Sequence, residues 1–129
     1  MTAALWGAVA VGLLMPVAMI GCYPVYMYHS RHEPNRWSGY RTERALSSVR
    51  NWRVAQAMCA RHWVVIGAIF TVLTLGGYGL LYAAGNRDAE TWWWYALLFA
   101  LAPVIGILWS AALIEKRLKQ LDDVEKATT

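Results

Sequence analysis

Three stretches of this chain carry no charged residue: Ala3 to Tyr28, Trp63 to Ala84 and Thr91 to Ile114. Each is longer than about 18 residues, the length at which an apolar run becomes a candidate to cross a bilayer. A chain of 129 residues cannot build a soluble core large enough to hide three such runs. The predicted fold class is therefore an all-α membrane protein with three transmembrane helices. The expected organisation is one membrane domain. It has a first helix at about 3–28, a basic loop at 29–61, a second helix at about 62–84, a short loop at 85–90, a third helix at about 91–114 and a tail at 115–129. The first run is too long for a cleaved secretory signal, and no basic side chain precedes it.

Orientation follows from the basic residues. The 29–61 loop holds Arg31, Arg36, Arg41, Arg44, Arg50, Arg53 and Arg61 against Glu33 and Glu43, and the tail adds Lys116, Arg117, Lys119 and Lys126. The 85–90 loop holds Arg87 alone, beside Asp88 and Glu90. Basic residues close to helix ends stay on the cytoplasmic side. This predicts a multi-pass protein of the bacterial plasma membrane with the N-terminus outside and the C-terminus cytoplasmic. The net charge of +4 then faces anionic lipid headgroups, the expected partner, and not nucleic acid.

Aromatic residues sit where the three runs end. Trp6, Trp92, Trp93 and Trp94 fall at the outer level, and Tyr23, Tyr26, Tyr28 and Trp63 at the inner one, as interface anchors do. Ala4, Ala8 and Gly12 on the first helix, and Ala102, Gly106 and Ser110 on the third, recur every fourth residue, a spacing that lets helices approach closely within a chain or between chains. Gly76, Gly77 and Gly79 thin the second helix. Pro16 and Pro103 are expected to kink theirs. Cys22 and Cys59 are expected to remain unpaired.

Between the first two runs the pattern changes. His29 to Pro34 reads as a helix exit, and Gly39 marks a turn. Ser47 or Ser48 suits a helix N-cap. From there Val49, Trp52, Ala55 and Cys59 share one face, with Arg50, Arg53 and Arg61 largely on another. That spacing predicts a cytoplasmic amphipathic helix lying in the inner interface, with no Gly or Pro to stop it running on into the second membrane helix.

The chemistry of this stretch is that of recognition. Arg41 and Arg44 suit bidentate binding of phosphate or carboxylate. Tyr40 and Trp52 suit stacking or anchoring, and Asn35, Thr42, Asn51 and Gln56 supply neutral hydrogen bonds. These eight residues form the expected ligand-binding set. The sequence offers no nucleophile with an adjacent base, so an enzyme is not expected. His29, His32 and Glu33, with His62 further on, are a weak metal constellation at chance spacing. No metal or cofactor is expected, and no histidine lies inside an apolar run to ligate a haem. No ionisable residue lies inside a run, which argues against an ion-coupled transporter.

Gly39-Tyr40-Arg41-Thr42, followed by Arg44, Ser47-Ser48, Asn51-Trp52 and Ala55-Gln56, resembles the signature of the SdpI family, small bacterial membrane proteins of the immunity type. Asn35 matches the Asn that opens that family's pattern, and the order of one membrane helix, the motif and two further membrane helices matches as well. There are departures. Glu43 stands where Pro is usual, Asn51 where an acidic residue or Thr precedes the Trp, Gln56 where Asn is commoner, and Ala60-Arg61 where Gly-Lys is frequent. The resemblance implies a protein that protects against a secreted toxin, with the motif loop recognising a toxin, lipid or regulator. The alternative is a non-catalytic accessory subunit of a larger respiratory or transport complex. The expected protein partner is accordingly a membrane protein or a second copy of the chain.

Overall fold

The computed structural model describes residues 1–129, and its regular elements are all helices. The first span is α1 (Ala3–Gly21) followed by α2 (Tyr23–Ser30). A short α3 (Glu43–Leu46) precedes the long α4 (Val49–Ala83). The last span is α5 (Ala89–Leu101) followed by α6 (Pro103–Thr128). Three helical stretches are long and apolar enough to cross a membrane: Ala3–Ser30, Val49–Ala83 and Ala89–Thr128. At 1.5 Å per residue α4 is about 52 Å long, against a hydrocarbon core of about 30 Å. It therefore stands well clear of the bilayer at one end.

The breaks between paired helices have a covalent cause. Pro24 and Pro103 lie at the starts of α2 and α6, where a residue without an N–H and with a fixed φ is tolerated. Pro103 thus interrupts its span as expected, whereas Pro16 sits buried inside an unbroken α1. The break in the first span falls instead at Cys22. Asp88 caps α5, accepting from the backbone N–H of Thr91 at 3.0 Å and from its hydroxyl at 2.6 Å. The Thr91 hydroxyl and N–H hold the Asp88 carboxyl below its usual range.

Packing changes partners along the bundle. α1 lies against both α4 and α5, while α2, α3 and α6 gather around α4. One core cluster, at the end near Gly85, joins Leu5, Ala8, Tyr78, Trp92 and Ala96. The other, at the motif end, joins Ala45, Ala55, Cys59, Ile114 and Leu118. The buried stripe of α1 is Leu5, Ala8, Gly12, Pro16 and Met19. Ala8 and Gly12 of the expected small-residue series lie on it, while Ala4 is exposed. Trp92 is likewise not a lipid-facing anchor: it is buried, and its indole N–H donates to the carbonyl of Asn86 at 3.2 Å. Trp6 and Trp94 are exposed as interface anchors are.

The expected amphipathic helix is not a separate element. Val49 to Arg61 is the first part of α4 itself. Its apolar face of Trp52, Ala55 and Cys59 is buried by protein, through α2, α3 and α6, and not by lipid. Continuity won because no Gly or Pro lies between Val49 and Ile66, and the face already had protein to cover it.

Candidate functional site at the motif end

The loop from Arg31 to Thr42 is held by side chains that substitute for regular backbone pairing. The Asn35 side-chain oxygen accepts from the N–H groups of Trp37 and Ser38, both at 2.9 Å, a turn that Asn makes readily. That fixes the amide so that its NH2 faces His29 Nδ1 at 3.4 Å. His29 Nε2 then faces the Ser38 hydroxyl at 2.6 Å. The buried Trp52 indole donates to the His29 carbonyl at 2.8 Å. His29 is thus a structural residue that ties the end of α2 to the loop.

Gln56 is the centre of the clamp. Its side-chain oxygen accepts from Tyr40 N–H at 2.8 Å, and its NH2 donates to Tyr40 C=O at 2.6 Å. One amide therefore reads both backbone groups of a single residue. Gly39 must precede it. Its φ is +93°, and a Cβ there would lie 2.7 Å from Gln56 Oε1 and 3.3 Å from the Trp52 ring. Positive φ and the absence of a side chain are both required, which only glycine supplies without strain.

A second layer joins the loop to α6. Glu115 Oε1 accepts from the Tyr40 hydroxyl at 2.8 Å and from the Thr42 hydroxyl at 2.5 Å. Thr42 also caps α3, accepting from Ala45 N–H at 3.3 Å. Burial, and then the adjacent Glu115, push the Tyr40 hydroxyl well above the usual tyrosine value, so it stays a donor. Asn51 is fully buried, and its NH2 lies within 3.1 Å of the Arg44 carbonyl and the Ser47 hydroxyl and 3.0 Å from Asp122. Arg50 reaches Asp122 at 3.4 Å and Glu125 at 3.2 Å, and Arg44 reaches Asp122 at 3.8 Å. Ser48, the second of the two serines considered, is the N-cap of α4. No buried side-chain polar atom lacks a partner. A polar groove of about 610 Å³ opens between Thr42, Glu43, Arg44, Ser47, Glu115 and Asp122.

The eight residues picked from the sequence thus lie together at one end of the bundle, but in different states. Asn35, Tyr40, Thr42, Asn51, Trp52 and Gln56 are engaged with the chain itself. Arg44 lies beside Asp122. Arg41 is exposed, its guanidinium donating to the carbonyl of Arg36. Trp37, not singled out in the sequence, is 89% exposed. His29, read in the sequence only as a weak metal candidate, completes the site with Glu115 and Asp122, which the sequence did not single out. Glu115 and Asp122 lie in what reads as a solvated tail, and their partners are more than 70 residues away in sequence. The one available signal was that Glu115, Leu118, Asp122 and Glu125 fall at helical spacing on one face.

These features define an all-helical, multi-pass membrane protein whose polar motif is bound to one end of its helices. A family model described as the SdpI/YfhL protein family matches residues 31–111, from the motif through most of the third span. The chain belongs to that family. No curated protein matches it. No solved structure does so either.

Proposed function

We propose that the chain is a non-catalytic binding protein of the immunity type, which recognises its target through the outer side of the motif loop. The observation that carries this reading is the division of labour in the motif. Gly39, Tyr40, Thr42 and Gln56 fasten the loop to α4 and α6, leaving Arg36, Trp37 and Arg41 displayed outward on an immobilised turn. Holding the binding residues rigid lowers the ordering cost of binding. An exposed Trp flanked by two arginines suits a target with both apolar and anionic character. The plasma membrane is the proposed location, with the motif and the C-terminus on the cytoplasmic side.

The test is protection. A bacterium sensitive to a secreted membrane-active killing peptide would express the wild type, Trp37→Ala or Arg41→Ala at matched membrane levels. Survival and membrane potential would be read after challenge. Protection by the wild type that both variants lose supports the proposal. Equal protection by all three removes the loop from the function. A stoichiometric larger complex in a gentle-detergent pull-down, with no protection, replaces immunity by the accessory-subunit role.

A further inference from the structure

On the outward side of α2, the break at Cys22 and the fold-back at the helix end leave a groove of about 430 Å³ lined by Tyr23, Pro24, Met27, Tyr28, Arg31 and His32. It has two kinds of wall. Tyr23, Pro24 and Met27 lie within the first membrane-crossing stretch and offer apolar surface. At the other end His32 folds back on Tyr28, the rings stacked 3.9 Å apart, with Nδ1 2.7 Å from the Tyr28 carbonyl. Arg31 follows the last helical residue, is exposed, and has no carboxylate partner, since nearby Glu33 lies by Arg53 instead.

We propose that this groove holds one phospholipid of net negative headgroup charge, with its phosphate on Arg31 and an acyl chain along Tyr23, Pro24 and Met27. The argument is one of position and charge. A groove that begins in the apolar span and ends at an unpaired guanidinium matches a molecule that is apolar at one end and anionic at the other. Arginine suits phosphate because its fork donates two parallel hydrogen bonds. The end of α2 carries negative partial charge from its carbonyls, so an anion stays there only through Arg31. The aromatic rim matches the headgroup level, where Tyr and Trp rings favour the interface. This site is separate from Arg36, Trp37 and Arg41, and it rests only on the chain's crossing the membrane.

Native mass spectrometry of the full chain in neutral detergent tests the proposal. Phosphatidylglycerol would be titrated against phosphatidylcholine, with glycerol phosphate as a competitor. The expected result is one phosphatidylglycerol retained in preference to phosphatidylcholine and not displaced by glycerol phosphate. Loss of a charge-assisted contact in Arg31→Ala should weaken it about tenfold. Met27→Trp, which fills the apolar half, should weaken it too, whereas Arg117→Ala, which removes an equal exposed charge of α6 outside the groove and the motif loop, should not. Circular dichroism would confirm that each variant keeps its helices. The proposal is overturned if Arg31→Ala and Arg117→Ala weaken binding equally, which means diffuse charge. It is equally overturned if phosphatidylcholine binds as well, or if glycerol phosphate competes at lipid concentrations, which means a free-anion site. An Arg31→Ala chain that loses its helices shifts the decision to Met27→Trp, where unchanged binding overturns the proposal.

Discussion

The contact between Gln56 and Tyr40 concentrates much of the motif in one side chain. Gln56→Leu keeps the size of the residue and removes both hydrogen bonds, stranding the Tyr40 N–H and C=O unless the loop lifts into water. Stranding costs about 1–3 kcal/mol for each buried group. The expected outcome is a lower unfolding midpoint in detergent and faster tryptic cleavage at Arg36 and Arg41. Unchanged cleavage would mean that the clamp does not hold the loop. The Tyr40 hydroxyl gives a pH test. Its folded value lies above its unfolded value near 10.0, so its contribution is fully present below that pH and is lost as pH rises through the folded value. The stability difference between wild type and Tyr40→Phe should therefore stay constant from neutral pH to about pH 10 and shrink only above it. Asn35 and Gly39 were legible because Asn and Gly in a loop have few other uses, and Gln56 because a polar amide stands on the apolar side of a helix. Glu115 was not, because a carboxylate's partner 75 residues away leaves no mark in the local sequence.

Among the helices, a small residue matters where a neighbouring backbone comes close, and fourth-residue spacing did not identify all such places. A Cβ on Gly67 would lie 2.6 Å from the Pro16 carbonyl oxygen and 2.8 Å from the Ile20 side chain. Here α4 comes close to α1, and the neighbour includes backbone that cannot step aside. Gly67 belongs to no small-residue series, so only the third dimension reveals it. Gly106, which the spacing did pick out, packs on Ile66 in the same way, with a Cβ 2.8 Å from the Ile66 side chain. Of the three glycines expected to thin α4, Gly77 meets the Tyr95 ring while Gly76 and Gly79 face open space. Gly67→Val should consequently force α1 and α4 apart, with a penalty of about 1–3 kcal/mol or more, as overpacking does. Gly76→Ala should be neutral. Unfolding of both variants in mixed micelles compares them directly, and equal midpoints would show that the α1–α4 contact is compliant. The long apolar runs made the helices themselves legible. The merging of the amphipathic segment into α4 was legible only as an absence of breakers, because whether lipid or protein covers such a face depends on where α6 lies.

At the scale of the molecule, the contacts of Arg44, Arg50 and Asn51 with Asp122 and Glu125 put the motif loop and the C-terminal part of α6 at the same end. Leu5 and Ala8 packed with Trp92 and Tyr78 put the start of the chain at the other. Eleven of the twelve lysines and arginines therefore gather at one end, leaving Arg87 alone. Two of the eleven, Arg44 and Arg50, lie beside carboxylates of α6, so the acidic face of the tail serves the loop and does not cancel the charge bias of the bundle. Insertion responds to the distribution of Lys and Arg near helix ends and little to Asp and Glu. The expected outcome is that a fluorescent reporter fused after Thr129 is bright, while alkaline phosphatase is inactive there and active when inserted at Gly85. Neutralising Lys116, Arg117 and Lys119 together should leave this pattern intact, because the seven arginines between Arg31 and Arg61 remain. An active phosphatase at Thr129 in the wild type would reverse the orientation and place the motif loop on the outer surface. A target secreted by other cells would then meet Trp37 and Arg41 without crossing the membrane.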